Sequence, residues 1–177
     1  SVIEHGVVNF IFANVSRVFT HELVRHRQGT AMSQESLRYV RLEDLGQWLP
    51  SDFRNDPVVA EKMANVFKTL EQFQIELAQH YGLDKEGTNF HVKKTITSAM
   101  RRAAPIGLAT AIGWSANIRS LRWVIEMRTA PEAEEEIRLV FGKVAEIVVK
   151  RFPNLFQDFT VEMVDGLPWF KAANSKV

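Results

Sequence analysis

Seven apolar side chains, Val59, Met63, Val66, Phe67, Leu70, Phe73 and Leu77, recur at steps of three and four before the run stops ahead of Gly82. At ~3.6 residues per turn this spacing lays them along one face of a helix, which a core or a partner has to cover. The rest of the chain is read around that helix. Asn89 to Ala103 is a second helix, stopped by Pro105. Asn117 to Arg128 is helical, and Pro131 opens another helix at its first turn. Glu132, Glu134, Glu135 and Glu136 sit at the positive end of that helix's dipole and read as a solvated start, with Ile137, Val140, Phe141, Val144 and Val148 as its buried face. Val15 to Arg27 reads as a helix capped by Asn14 or Ser16. His5 to Asn14, Ser33 to Leu42 and a closing segment Phe159 to Val164 read as strands. Ile106 to Trp114 suits either a short strand or a continuing helix. Gln28 to Met32 and Asp44 to Pro57 read as loops. There are no internal repeats and no linker, so residues 1–177 are expected to form one domain.

The formal net charge is +1, so no global field points to nucleic acid or a membrane surface, and anion binding has to come from local clusters. The apolar runs are too short to cross a bilayer. The opening Ser1-Val2-Ile3-Glu4-His5 lacks the basic and apolar stretches of a signal peptide, so a cytoplasmic location is expected. The sequence has no cysteine. Disulfides, thiolate metal sites and a cysteine nucleophile are therefore ruled out. No His/carboxylate spacing supports a metal site, and neither a Walker loop nor GxGxxG is present.

Arginine is concentrated beside polar groups in three places. The first is Arg25-His26-Arg27 followed by Ser33-Gln34-Glu35-Ser36-Leu37-Arg38-Tyr39. The second is Arg101-Arg102 before Pro105. The third is Asn117-Ile118-Arg119, with Arg128 further along the same helix. Guanidinium groups suit phosphates because they stay charged and donate paired hydrogen bonds from a planar fork. Glu22 and Arg25 are three apart and can share a helix face. Arg119 and Arg128 are separated by about 2.5 turns, so they point to different sides and serve different parts of a site. Any single arginine is more often a solvated surface residue. These clusters by themselves indicate a domain that binds a phosphorylated ligand.

Arg25-His26-Arg27 together with Ser36-Leu37-Arg38-Tyr39 resembles the signature of flavin-dependent thymidylate synthases: Arg-His-Arg, seven residues, then Ser-x-Arg-Tyr. Glu4-His5, Val15-Ser16-Arg17 and Thr20-His21-Glu22-Leu23-Val24 resemble the flanks of that signature. Arg101-x-x-x-Pro105 resembles its Arg-x-x-x-Pro element. Asn117-x-Arg119, Met127-Arg128 and Glu136-Ile137-Arg138 resemble its C-terminal helix pair. The resemblance spans nearly the whole chain and implies an α+β fold, an antiparallel sheet flanked by helices. It also implies an N-terminal family segment ahead of the Glu-His strand that is absent here. His5, Arg25, His26, Arg27, Gln34, Asn117 and Arg119 would contact FAD. Glu22, Ser36, Arg38, Arg101 and Arg128 would hold the nucleotide, with Ser36 and Arg128 taking part in the chemistry and Arg101 near the phosphate. Arg128 would lie by the uracil carbonyls, where charge develops. The implied reaction is reductive methylation of dUMP at C5 to dTMP. Methylenetetrahydrofolate and NADPH are the co-substrates, and the sites are shared between subunits of a homotetramer. Classical thymidylate synthases activate uracil with a cysteine thiolate; a chain without cysteine needs another route, such as hydride delivery from a flavin.

Three departures define the competing readings. The signature spacing is eight residues here, Glu22 stands where a glutamine usually meets the nucleotide, and Trp123 stands where asparagine or histidine is usual near the flavin. They motivate a related C5-methylase acting on another uracil nucleotide such as UMP. The third reading is a homologue that binds nucleotide or flavin without turnover. Flavin absorbance separates the enzymes from the last, and turnover of dUMP against UMP separates the first two.

Overall fold

In a computed structural model, which describes residues 1–175, strand β1 (Val7–Ser16) runs directly into helix α1 (Arg17–Leu23) and the chain returns through β2 (Thr30–Gln34). A short α2 (Ser51–Arg54) precedes the long α3 (Pro57–His80) and α4 (Phe90–Met100). Strand β3 (Ala109–Asn117), α5 (Ile118–Thr129), α6 (Glu135–Arg151) and α7 (Pro153–Phe156) follow. A hairpin of β4 (Phe159–Val164) and β5 (Leu167–Ala172) completes the described fold. One sheet has the order β1-β3-β2. Ile118 N donates to Gly6 O and Arg17 N to Leu108 O, so the start of β1 lies beside the end of β3. Asn117 N to Gly29 O and Glu35 N to Ala111 O bracket β2 in the same sense. Both pairings are antiparallel, as is β4 with β5. The expected α+β class with antiparallel sheets therefore holds.

The chain divides into two compact units. The first takes Ser1–Phe12, Phe19–Ser33 and the described residues from Ile112 onward. Here β3 alternates, burying Ile112, Trp114 and Ala116 on one face. Trp114 meets Phe141 of α6 edge-on at 5.5 Å, and Phe12 meets Phe19 at 5.3 Å. Leu121, Val124 and Ile125 of α5 and Ile137, Phe141 and Val148 of α6 are buried with them.

The second unit takes Ala13–Val18 and Gln34–Ala111. Asp56 starts α3 by accepting from Val58 N at 2.9 Å and Val59 N at 3.2 Å, with Pro57 in the first turn. Phe67 from the predicted apolar face packs with Leu37, Leu42, Leu45 and Leu108. A second cluster joins Ala78, Leu83 and Met100, and the buried Gln74 amide donates to Met100 O at 3.1 Å. Asn89 caps α4 by accepting from His91 N.

Several local expectations are corrected. Helix α1 stops at Leu23, so Arg25-His26-Arg27 lies on the connection to β2 and not on a helix. Asn14 is inside β1 in the left-handed conformation (φ 58°) and is not a cap. Strand β2 ends at Gln34, because Tyr39 N turns back onto Ser36 O and Leu37 and Leu42 turn into the core. Helix α6 begins at Glu135, since Glu134 caps it through Glu136 N at 2.8 Å; Pro131 lies before it, and Glu136 is buried. Ile106 to Trp114 resolves to the start of β3. The supposed closing strand is followed by β5 through Asp165 (φ 54°) and Gly166 (φ 76°), two left-handed residues as a type I′ turn requires.

Candidate active site

The first unit builds a pocket where the Arg25 to Gly29 loop lies on the N-terminus of α5. Gly29 is left-handed, and a Cβ there would stand 2.4 Å from both Asn117 Nδ2 and Ser120 Oγ. Only glycine allows that approach. Ser120 Oγ donates to Gln28 O at 2.7 Å and Asn117 N to Gly29 O at 2.9 Å. Asn117 Oδ1 accepts from Ser120 N at 2.8 Å, which caps α5. The resulting cavity of about 690 Å³ is walled by Arg25, His26, Arg27, Asn117, Arg119 and Trp123, among others. Most of the predicted cofactor set is thus brought together. His5 is not in this wall, and Gln34 lies in the other unit. Arg119 is anchored by Glu4, Nε to Oε1 at 2.7 Å.

A helix N-terminus with flanking arginines is a site for anions, because unspent backbone N–H groups and the helix dipole favour negative charge. Trp123 meets the His26 ring edge-on at 5.1 Å and adds an aromatic surface. A dinucleotide matches this lining: phosphates for the arginines and helix end, a ring system for the aromatic side. Sequence reading missed Gly29, Ser120 and Arg122 in this wall, and Ala172 and Ser175 from the C-terminal hairpin. Of these only Gly29 left a signal, as the glycine in the lengthened loop.

The second unit carries a more open cavity of about 570 Å³, lined by Arg17, Gln34, Ser36, Arg38, Arg101 and Arg102 among others. Arg38 donates to Ser36 Oγ from its backbone N at 3.4 Å and from Nε at 3.3 Å. Arg17 Nη2 donates to Glu35 O at 3.1 Å and so holds the segment that presents Ser36. Ser36, Arg38 and Arg101 of the predicted nucleotide set meet here, joined by Gln34 from the predicted cofactor set.

The remaining two nucleotide candidates, Glu22 and Arg128, sit together in the first unit. Arg128 Nη1 donates to Glu22 Oε2 at 2.8 Å, Nη2 to Glu22 O at 3.1 Å, and Nε to His26 Nε2 at 2.6 Å. Burial, and then the adjacent Arg128 cation, push the His26 imidazole down to about 4. The ring is therefore neutral at neutral pH, with its proton on Nδ1 and a lone pair on Nε2 for Arg128. Glu132 is not among the hydrogen-bond partners of Arg128.

Residues 1–154 match the family model described as thymidylate synthase complementing protein. The chain belongs to the thymidylate synthase complementing protein family, the flavin-dependent thymidylate synthases. The flavin-dependent thymidylate synthase of Mycolicibacterium gilvum is 31% identical over 169 residues, covering 94% of this chain and 67% of the relative. That of Clostridium tetani is 32% identical over 170 residues, covering 94% and 68%. The fold agrees: the crystal structure of thymidylate synthase X from Helicobacter pylori, determined with FAD and dUMP, superposes with a TM-score of 0.59 at 22% identity. That match covers 86% of this chain and 72% of that one. Among the described residues of this family member, no helix is long and apolar enough to cross a membrane, and no group of three or more His, Asp or Glu could hold a metal.

Proposed function

We propose that this chain methylates dUMP at C5 to dTMP, with methylenetetrahydrofolate supplying the carbon and NADPH the reducing equivalents. The observation that carries the reading is the pocket at the N-terminus of α5, where Arg25, Arg27, Arg119 and Asn117 converge beside Trp123. In its relatives' family this is a flavin chemistry, and solved neighbours hold FAD and dUMP. Bound FAD supplies the hydride chemistry that a chain without cysteine cannot replace with a thiolate.

The residues divide the remaining work. Arg25, Arg27, Arg119 and the capped end of α5 bind the cofactor phosphates. His26, neutral and proton-bearing at Nδ1, offers a donor. Ser36, Arg38 and Arg101, with Gln34, Arg17 and Arg102, hold the nucleotide phosphate. Arg128 meets the uracil carbonyls, where a fixed guanidinium favours the charge that develops as the ring is reduced.

Arg25→Ala tests the cofactor half. FAD affinity should fall by ~1.5–3 kcal/mol, the scale of hydrogen bonds to a charged group. An unchanged FAD titration for the folded variant removes Arg25 from the pocket. The assembly is proposed to be a homotetramer with sites shared between subunits. Light scattering with FAD present should give the tetramer mass at micromolar concentration, and a monomer contradicts it.

A further inference from the structure

Arg128 carries five N–H donors. Its Nε is spent on His26 Nε2, one Nη1 hydrogen on the Glu22 carboxylate and one Nη2 hydrogen on the Glu22 carbonyl. No hydrogen bond among the described residues takes the second hydrogen on either terminal nitrogen. The Arg128 side chain is 19% exposed and that of Glu22 29%. The guanidinium is therefore gripped from two elements, the last turn of α1 and the loop after it, and keeps two donors to offer a ligand.

We propose that Glu22 is a positioning residue for Arg128 and not a ligand of the nucleotide, a reading that rests on the function proposed above for Arg128. A carboxylate facing a phosphate would repel it. Turned onto Arg128, the same carboxylate is neutralised and sets the guanidinium plane. An arginine side chain has about 2 kcal/mol of rotamer entropy to lose on ordering. Glu22 and His26 impose that order before a ligand arrives, so the donors aimed at the uracil oxygens need no reorganisation during the reaction. The two contacts divide the task. Glu22 fixes both terminal nitrogens through one carboxylate oxygen and its own carbonyl, while His26 fixes Nε and stops the plane from tipping. The depressed basicity of His26 agrees with this geometry, since its Nε2 lone pair has to stay free to accept from Arg128. The carbonyl contact survives any substitution at position 22, so the carboxylate is the part that mutation can test.

The wild-type chain, Glu22→Ala and Glu22→Gln are compared by steady-state kinetics at saturating FAD, with the imidazole nitrogens of His26 followed by NMR without nucleotide. Glu22→Ala should lower kcat at saturating dUMP by about tenfold, with KM within about threefold and FAD affinity retained, the pattern of an interaction felt in the transition state. Glu22→Gln keeps an oxygen for Nη1 and should recover most of the lost kcat. In wild type the His26 proton should sit on Nδ1; in Glu22→Ala, with Arg128 loosened, the Nε2 signal of the ring should shift as its hydrogen bond from Arg128 weakens. If alanine and glutamine both act through KM with kcat kept, or if either variant binds dUMP more tightly at unchanged kcat, Glu22 faces the nucleotide and the proposal is overturned. Unchanged His26 signals in Glu22→Ala overturn it as well. Because the NMR readout needs no turnover, a wild type that makes no dTMP defeats the synthase reading alone and leaves the clamp to be judged by the imidazole.

Discussion

Arg128→Ala is expected to lose on the order of 10²–10³ in kcat, the scale for removing one preorganised donor from a developing oxyanion, while binding FAD within a few-fold of wild type. Lysine in its place should not restore the rate, because an ammonium cannot reproduce the planar fork that spans Glu22, His26 and a ligand. The competing account is structural: Arg128 joins α5 to the last turn of α1 and the loop after it and does nothing else. The variant would then melt earlier and turn over normally once folded. kcat and melting temperature measured on the same preparation separate the two. Near-normal kcat would remove Arg128 from the chemistry, and with it the case for how uracil is held.

The largest expected effect on stability lies at Asp158. Arg122 on α5 is 7% exposed and donates to both Asp158 oxygens, Nη2 to Oδ2 at 2.6 Å and Nη1 to Oδ1 at 2.8 Å, with a further Nη1 bond to Leu155 O at 2.5 Å. Its guanidinium lies 4.9 Å from the Phe159 ring centroid. Asp158 Oδ2 also accepts from the backbone N and the amide of Asn174, at 3.1 and 3.3 Å. One carboxylate thus ties α5 to both ends of the C-terminal hairpin. Asp158→Ala leaves the Arg122 cation buried without its carboxylate and should cost about 3–5 kcal/mol, or on the order of 10 °C in Tm for a chain of this length. Replacing both partners by leucine should be milder than either single change, since no charge is left buried. The pH dependence follows. The Arg122 hydrogen bonds, outweighing burial, hold Asp158 down to about 2 against an ordinary 3.8. Its contribution is complete above that ordinary value and is lost as pH falls through about 2. A Tm shift below about 2 °C for Asp158→Ala, or an acid profile identical to wild type, contradicts this role.

Helix α3 was legible because Val59, Met63, Phe67, Leu70 and Leu77 repeat at helical spacing ahead of Gly82, but Val66 and Phe73 stay exposed, and its start at Asp56-Pro57 fell in a segment read as a loop. Strand β2 was misplaced because Tyr39, Val40 and Leu42 have strand-forming side chains, yet Leu37 and Leu42 are drawn into the core with Phe67 and no ladder forms there. Tertiary packing overrode local preference. Strand β5 was missed although Asp165-Gly166 is a hairpin signal; it carries Pro168, a residue that weakens the strand pattern of a segment. The family motif identified Arg25, Arg27, Asn117 and Arg119 as members of one site, and the pocket collects them. What no spacing rule reaches is who holds whom. Glu22 and Arg128 are 106 residues apart and Arg122 and Asp158 are 36 apart. Only the fold joins those pairs, so a carboxylate that looked hostile to a phosphate is found neutralised by an arginine.

Product formation by the purified chain tests the central claim most directly. Supplied with FAD, dUMP, methylenetetrahydrofolate and NADPH under anaerobic conditions, it should be a yellow protein that forms dTMP. Formation should stop when FAD is removed, and UMP should be a poor substitute for dUMP. A protein that binds no flavin, or one that binds flavin and methylates UMP in preference to dUMP, would contradict the account.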